Sequence, residues 1–207
     1  MYSVAVAPVQ RRSKETYENI VSAAARLLER EGVAQMTVQK VAESAGVDAR
    51  LVRYYFDDLE GLMVVIGDHA VARWAAVLRE QLAGHDDPRD AIADGLDSFW
   101  RSLARSDPGA RRQSLSLQEI RLWAARSEAL HALPRRSHEE FEGAWVEAFE
   151  AASDRYTFSI EPPVLARMIY DAWDGVVGDY LTTGDVARAR EALDGFIAAF
   201  SLMINPR

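Results

Sequence analysis

The chain has 207 residues, 49% of them apolar, no cysteine and a formal net charge of -8 at pH 7. That size supports a real core in one or two domains, and no stretch reads as long enough to span a bilayer. The lack of cysteine excludes disulfides, thiolate nucleophiles and thiolate metal sites. Charge is unevenly spread: residues 1–56 carry eight basic and six acidic side chains, so any phosphate contact is expected in the first quarter of an otherwise acidic chain.

The opening MYSVAVAPVQRR places its arginines after a short apolar run, the reverse of a secretory leader, and reads as a flexible arm over 1–12. From Ser13 to Glu31 the spacing of Tyr17, Ile20, Ala24, Leu27 and Leu28 predicts a helix that Gly32 ends. The next segment, Thr37 to Phe56, reads as two short helices around a glycine turn. Thr37 is a good N-cap, and Val38, Val41, Ala42 and Ala45 share one face. Gly46 suits the left-handed position that stops a helix, and Asp48 suits the cap of the next one. Val52 and Phe56, at i and i+4, would face inward. Ala49, Arg50, Leu51, Arg53, Tyr54 and Tyr55 are left on the outer or flanking surface, the layout of a DNA-reading helix-turn-helix.

A long helix is predicted from about Asp58 to Ala83, then the loop GHDDP, with Pro88 suited to the first turn of a helix that ends near SDPG, Ser106 to Gly109. The runs LSLQEIRLWAARSEALHAL, EEFEGAWVEAFEAA, PPVLARMIYDAWDGVVGDYL and DVARAREALDGFIAAFSLMI each read as helices. Pro134, the Glu161–Pro163 stretch and the Thr182–Asp185 turn separate them. No strand pair or repeat is evident, so the expected fold is all-α with nine or ten helices. The domain reading is a helix-turn-helix unit over 13–57 and a helical effector-binding and dimerisation domain over 58–207.

Within the helix-turn-helix, Arg50 and Arg53 can offer guanidinium forks to guanine in the major groove or clamp phosphates, and Leu51 can meet a thymine methyl. Tyr54 and Tyr55 can donate hydroxyls to phosphates, although one of them equally suits a strut beneath the helix. Thr37, Gln39 and Lys40 stand where a hydroxyl, an amide and an ammonium would reach the DNA backbone.

The string Val41-Ala42-Glu43-Ser44-Ala45-Gly46-Val47 and the aromatic end Arg53-Tyr54-Tyr55-Phe56, on a three-helix start followed by a long fourth helix, resemble the TetR family of bacterial transcriptional regulators. The resemblance implies a cytoplasmic homodimer that binds palindromic double-stranded operator DNA at two half-sites, usually as a repressor released by a small-molecule effector. It implies no cofactor, no catalysis and no membrane. Members commonly carry Tyr where this chain has Arg53, and Ser or Asn followed by Lys where it has Asp58 and Leu59. That lysine often touches a phosphate, so the acidic pair Asp57 and Asp58 is expected to weaken the clamp, with Asp58 serving as a cap.

The two closing helices carry more apolar surface than one exposed face allows, with Leu165, Ile169, Val176 and Tyr180 on one and Leu193, Phe196, Ile197 and Phe200 on the other. A two-fold four-helix interface would cover them and would explain Gly175, Gly178 and Gly195 inside helices. The family resemblance further implies an effector pocket among the middle helices. Its candidate lining is Trp100, Glu119, Trp123, Phe141, Trp145, Tyr170, Trp173 and Asp174. The competing class is a helical-bundle metalloenzyme, suggested by the E-x-x-H at Glu128 and His131, but that site requires a second copy that the chain lacks. An activator with the same fold is the other alternative.

Overall fold

The computed structural model describes residues 11–104 and 108–207, with side-chain detail at all of these except 11, 12, 108–110 and 113. Nine α-helices are described: α1 (Arg11–Glu31), α2 (Val38–Ala45), α3 (Ala49–Phe56), α4 (Leu59–Leu82), α5 (Pro88–Ala104), α6 (Pro108–Ala124), α7 (Ala132–Ala152), α8 (Pro162–Thr183) and α9 (Val186–Ser201). A 3-10 turn, Val33–Gln35, joins α1 to α2. The all-α expectation holds, and four local expectations change.

Arg11 and Arg12 belong to α1 rather than to an arm, while residues 1–10 of that expected arm lie outside the described residues. The predicted helix from Leu115 to Leu133 instead starts at Pro108 and ends at Ala124. Buried Ser127 offers its hydroxyl oxygen to the Leu130 amide (3.4 Å), one of the local side-chain bonds that compete with helix propagation. Pro134 sits inside the first turn of α7, where its missing N–H costs nothing, instead of ahead of the helix. Two three-residue strands, β1 (Tyr156–Phe158) and β2 (Ile204–Pro206), pair antiparallel with Thr157 opposite Asn205. Strands so short show no alternation in sequence.

The chain divides into two compact units. The first comprises the described residues up to Ala70 together with Arg112–Arg135, and the second comprises Val71–Arg111 and Arg136–Arg207. In the first, α1 buries Ile20, Ala24, Leu27 and Leu28, with Val41, Val52, Phe56, Leu62 and Met63 also in the core. In the second, Leu78, Ile92, Trp145, Phe149, Leu165, Ile169, Leu193 and Phe200 belong to one hydrophobic cluster. Asp87 caps α5 through the Arg89 amide (2.8 Å) and pairs with the Arg89 guanidinium, which holds its carboxyl down at about 2.

The 24-residue α4 is long and apolar enough to cross a bilayer by length and composition alone, contrary to the expectation from sequence. Its Leu62, Met63, Ile66, Ala75, Leu78 and Leu82 are instead buried in protein.

Candidate nucleic-acid interface

The helix-turn-helix is built by local rules. Thr37 Oγ1 accepts from the Lys40 amide (3.1 Å) to cap α2, and Asp48 Oδ1 accepts from the Arg50 amide (2.7 Å) to start α3. Caps of this kind contribute about 1 kcal/mol each. Between them Gly46 takes φ 67, ψ 34, and its amide and that of Val47 return to the last carbonyls of α2. Asn19 of α1 donates to the Ala45 carbonyl (2.7 Å), fixing α2 against the first helix.

α3 then has two distinct faces. Val52, Tyr55 and Phe56 are buried, whereas Arg50, Arg53 and Tyr54 are exposed, Tyr54 to 70%. Neither guanidinium makes a hydrogen bond or ion pair among the described residues. Ala49 and Leu51 are partly buried along the edge of that surface, and Thr37 and Gln39 are exposed at the start of α2.

One expected DNA contact, Tyr55, is corrected, and another, Lys40, has partners within the protein. Tyr55 is only 6% exposed; its hydroxyl bonds Ser13 Oγ (2.8 Å), and its ring meets Tyr17 edge-on (5.9 Å). It is therefore a strut between α3 and the start of α1, because its direction on the helix points it at the first helix and not outward. Lys40 spends its ammonium on Glu31 (3.0 Å) and Gln35 (3.3 Å). Hydrogen bonds from Arg30 and Lys40 in turn lower the pKa of the Glu31 carboxyl.

The end of α3 is unusually tight. Asp57 has φ 59, ψ -57, and the Asp58 amide reaches back to the Phe56 carbonyl (2.6 Å), which makes Asp57 the centre of a strained γ-turn. Asp58 Oδ1 accepts from the Gly61 amide (2.8 Å), the cap role expected of it. A Cβ on Gly61 would lie 2.3 Å from the Phe56 carbonyl oxygen, so only glycine admits this approach.

The expected pocket residues are divided between the two units. Trp100 and Trp145 are 5% and 3% exposed and belong to the core of the second unit, so they fill space rather than line it. Glu119 and Trp123 belong to the first unit, where the Glu119 carboxylate is taken up by the Val33 amide (2.7 Å). The second unit does bring together Phe141 and Tyr170 (5.9 Å), with His138 against the same tyrosine (4.3 Å). It also aligns Trp173, Phe99 and Trp74 at 5.9 and 5.6 Å, all partly buried, with Asp174 next to Trp173 in sequence and also partly buried. Trp74 Nε1 is buried without an acceptor among the described residues. Trp74 and Phe99 stand out in sequence only as members of a large aromatic supply.

The expected dimer residues are also corrected. Leu165, Ile169, Val176, Tyr180, Leu193 and Phe200 are at most 8% exposed and fill the chain's own core, leaving Phe196 exposed and Ile197 partly buried. The outward stripes are different: Val164, Met168 and Gly175 on α8, with Ala192, Gly195, Phe196 and Ala199 on α9. An open groove of about 500 Å³ runs between them, lined by Ala172, Gly175, Ala192 and Phe196 and by the charged Asp171, Asp179, Arg188 and Glu191. Among the described residues, and apart from chain neighbours and the helix's own nearby backbone, no atom lies within 4 Å of where a Cβ would stand on Gly175, Gly178 or Gly195.

Glu128 and His131 lie in the exposed turn after α6, with His131 Nδ1 on the Glu128 carbonyl, so they do not form the helical carboxylate–histidine face that a bundle metal site uses.

A short helix with two arginines unengaged among the described residues, on a capped helix-turn-helix followed by a large helical remainder, has the form of a DNA-binding regulator. Residues 20–66 match the family model described as bacterial regulatory proteins, tetR family, and residues 87–199 match a tetracyclin repressor-like C-terminal domain; the chain belongs to the TetR family of transcriptional regulators. It is 22% identical over 183 residues to the HTH-type nicotine-responsive transcriptional repressor HdnoR of Paenarthrobacter nicotinovorans, covering 88% of this chain and 92% of that protein. A TetR-family regulator from Rhodococcus sp. superposes with a TM-score of 0.72 at 26% identity, covering 90% and 99% of the two chains. A TetR regulator from Haloarcula marismortui gives 0.77 at 20% identity, covering 92% and 99%.

Proposed function

We propose that the protein is a cytoplasmic homodimeric repressor that holds a palindromic operator through α3 and the start of α2, and leaves it when a small molecule binds the second unit. The observation that carries the DNA reading is the pair Arg50 and Arg53, exposed and without protein partners among the described residues, on a helix whose other face is locked into the core. Arg50, near the amino-terminal end of α3, is the base reader; Arg53, Tyr54, Thr37 and Gln39 hold the backbone, and Leu51 and Ala49 meet the groove edge.

Dimerisation through the small-residue groove of α8 and α9 is supported by the open glycines and by Phe196 and Met168, 39% and 37% exposed beside them. Two copies would present two α3 helices, as two half-sites require. Effector binding is supported by the partly buried aromatic pairs of the second unit, with Trp173, Tyr170, Phe141 and Asp174 retained from the expected lining. The nicotine-responsive relative is consistent with a small aromatic effector.

Selection of duplexes from a random pool at stated salt tests this reading. The expected product is an inverted repeat, and Arg50→Ala should cost about 1–3 kcal/mol and relax preference at one base pair per half-site. A pool that stays random, or an Arg50→Ala pool identical to that of the parent, defeats it.

A further inference from the structure

The junction between α1 and α2 is held by a side chain 86 residues further along the chain, inside the same compact unit. At the end of α1 the Leu28 carbonyl accepts from the Gly32 amide (2.8 Å) and from the buried Ser116 hydroxyl (3.2 Å). Gly32 then takes φ 78, ψ 168, a conformation open essentially to glycine alone. The following amide, that of Val33, meets Glu119 Oε2 at 2.7 Å.

A Cβ on Gly32 would stand 3.0 and 3.2 Å from the two Glu119 oxygens, so the carboxylate occupies the space a side chain would take. Ser116 and Glu119 are three residues apart, neighbours on one face of α6. Beyond Val33 the amides of Gln35 and Met36 close the 3-10 turn onto Gly32 and Val33, and Thr37 follows at once as the cap of α2. The strap is five residues long, so its anchor determines where the amino terminus of α2 stands.

We propose that Glu119 is a positioning residue for operator binding. Without touching DNA, its bond to Val33 fixes the Gly32–Met36 strap and thereby sets Thr37 and Gln39 against the phosphate backbone. The proposal rests on the DNA-binding reading above. Phosphate contacts set register and orientation on the duplex, so a shifted α2 terminus lowers affinity for every sequence while the bases read by α3 stay the same.

The test compares Glu119→Gln, which removes the charge and keeps an acceptor, with Glu119→Ala, which removes both. Each full-length variant is titrated against the selected operator and a scrambled duplex over a range of salt, alongside thermal midpoint and sedimentation. Glu119→Gln is expected within about twofold of the parent, and Glu119→Ala about tenfold weaker on both duplexes, with unchanged midpoint, dimerisation and salt slope. Equal affinities for the two variants overturn the proposal, as does a loss in Glu119→Ala that follows a fall in thermal midpoint. The parent's own titration reports on DNA binding alone and the Ala-to-Gln ratio on Glu119 alone, so the two readings fail separately.

Discussion

Gly61 and Gly175 both lie inside helices, yet a Cβ added to the first would stand 2.3 Å from a backbone oxygen, whereas one added to the second would meet no described atom within 4 Å beyond its chain neighbours and its own helix backbone. The contrast extends to their surroundings. Around α3 each special residue answers to the chain itself: Gly46 supplies a left-handed turn, and Gly61 admits the close approach of α4. On the outer side of α8 and α9 the glycines cost up to about 1 kcal/mol each relative to alanine, with no close approach among the described residues to require them. The first region is finished in a single copy; the second is left open on its outer side.

The sharpest way to break this contrast is to add the same methyl group at both places. Gly61→Ala should lower stability by about 3 kcal/mol in urea unfolding, because the obstacle is backbone and cannot rotate away. Gly175→Ala should instead stabilise the isolated chain by up to about 1 kcal/mol. Equal destabilisation at the two sites would erase the distinction.

Next in size is Phe196→Asp on the outer stripe of α9. Sedimentation should show the dimer dissociation constant rising about 30-fold, roughly 2 kcal/mol, with operator affinity falling in step and chain stability little changed. A dimer of undiminished strength would place the interface elsewhere.

The smallest effect concerns the partly exposed cap at the start of α5 in the second unit. The Arg89 side chain depresses the Asp87 carboxyl to about 2 from 3.8, so its contribution is complete above about pH 4 and fades as pH falls toward 2. After solvent screening this amounts to about 1 kcal/mol. Thermal midpoints between pH 2 and 5 should fall less steeply for Asp87→Asn than for the parent.

What the sequence discloses follows the range of the forces involved. Thr37, Gly46 and Asp48 are legible because a cap acts within a few residues, and the helix-turn-helix emerges from them almost whole. Tyr54 and Tyr55 are adjacent and chemically alike, but only Ser13 and Tyr17, some forty residues away, decide that the second is a strut. On α8 and α9 apolar residues occur on both sides, mixed on the outer one with charges such as Asp171 and Glu191, so helical period alone does not separate the inner face from the outer. Leu165, Ile169 and Leu193 go inward to fill the chain's own core, whereas Met168, Gly175, Gly195 and Phe196 are left outside. Glu119 reads as a polar pocket residue until the Val33 amide appears beside it.

The shared construction of the α1–α2 junction bears on modular exchange between relatives. A recombinant that transplants the reading head by a single cut after α4 would separate Gly32 and Val33 from the carboxylate that packs against them, and Leu28 from the Ser116 hydroxyl. The exchangeable cassette is discontinuous, and a functional chimera should carry α6 residues Ser116 and Glu119 along with the segment that runs through the first part of α4 to Ala70.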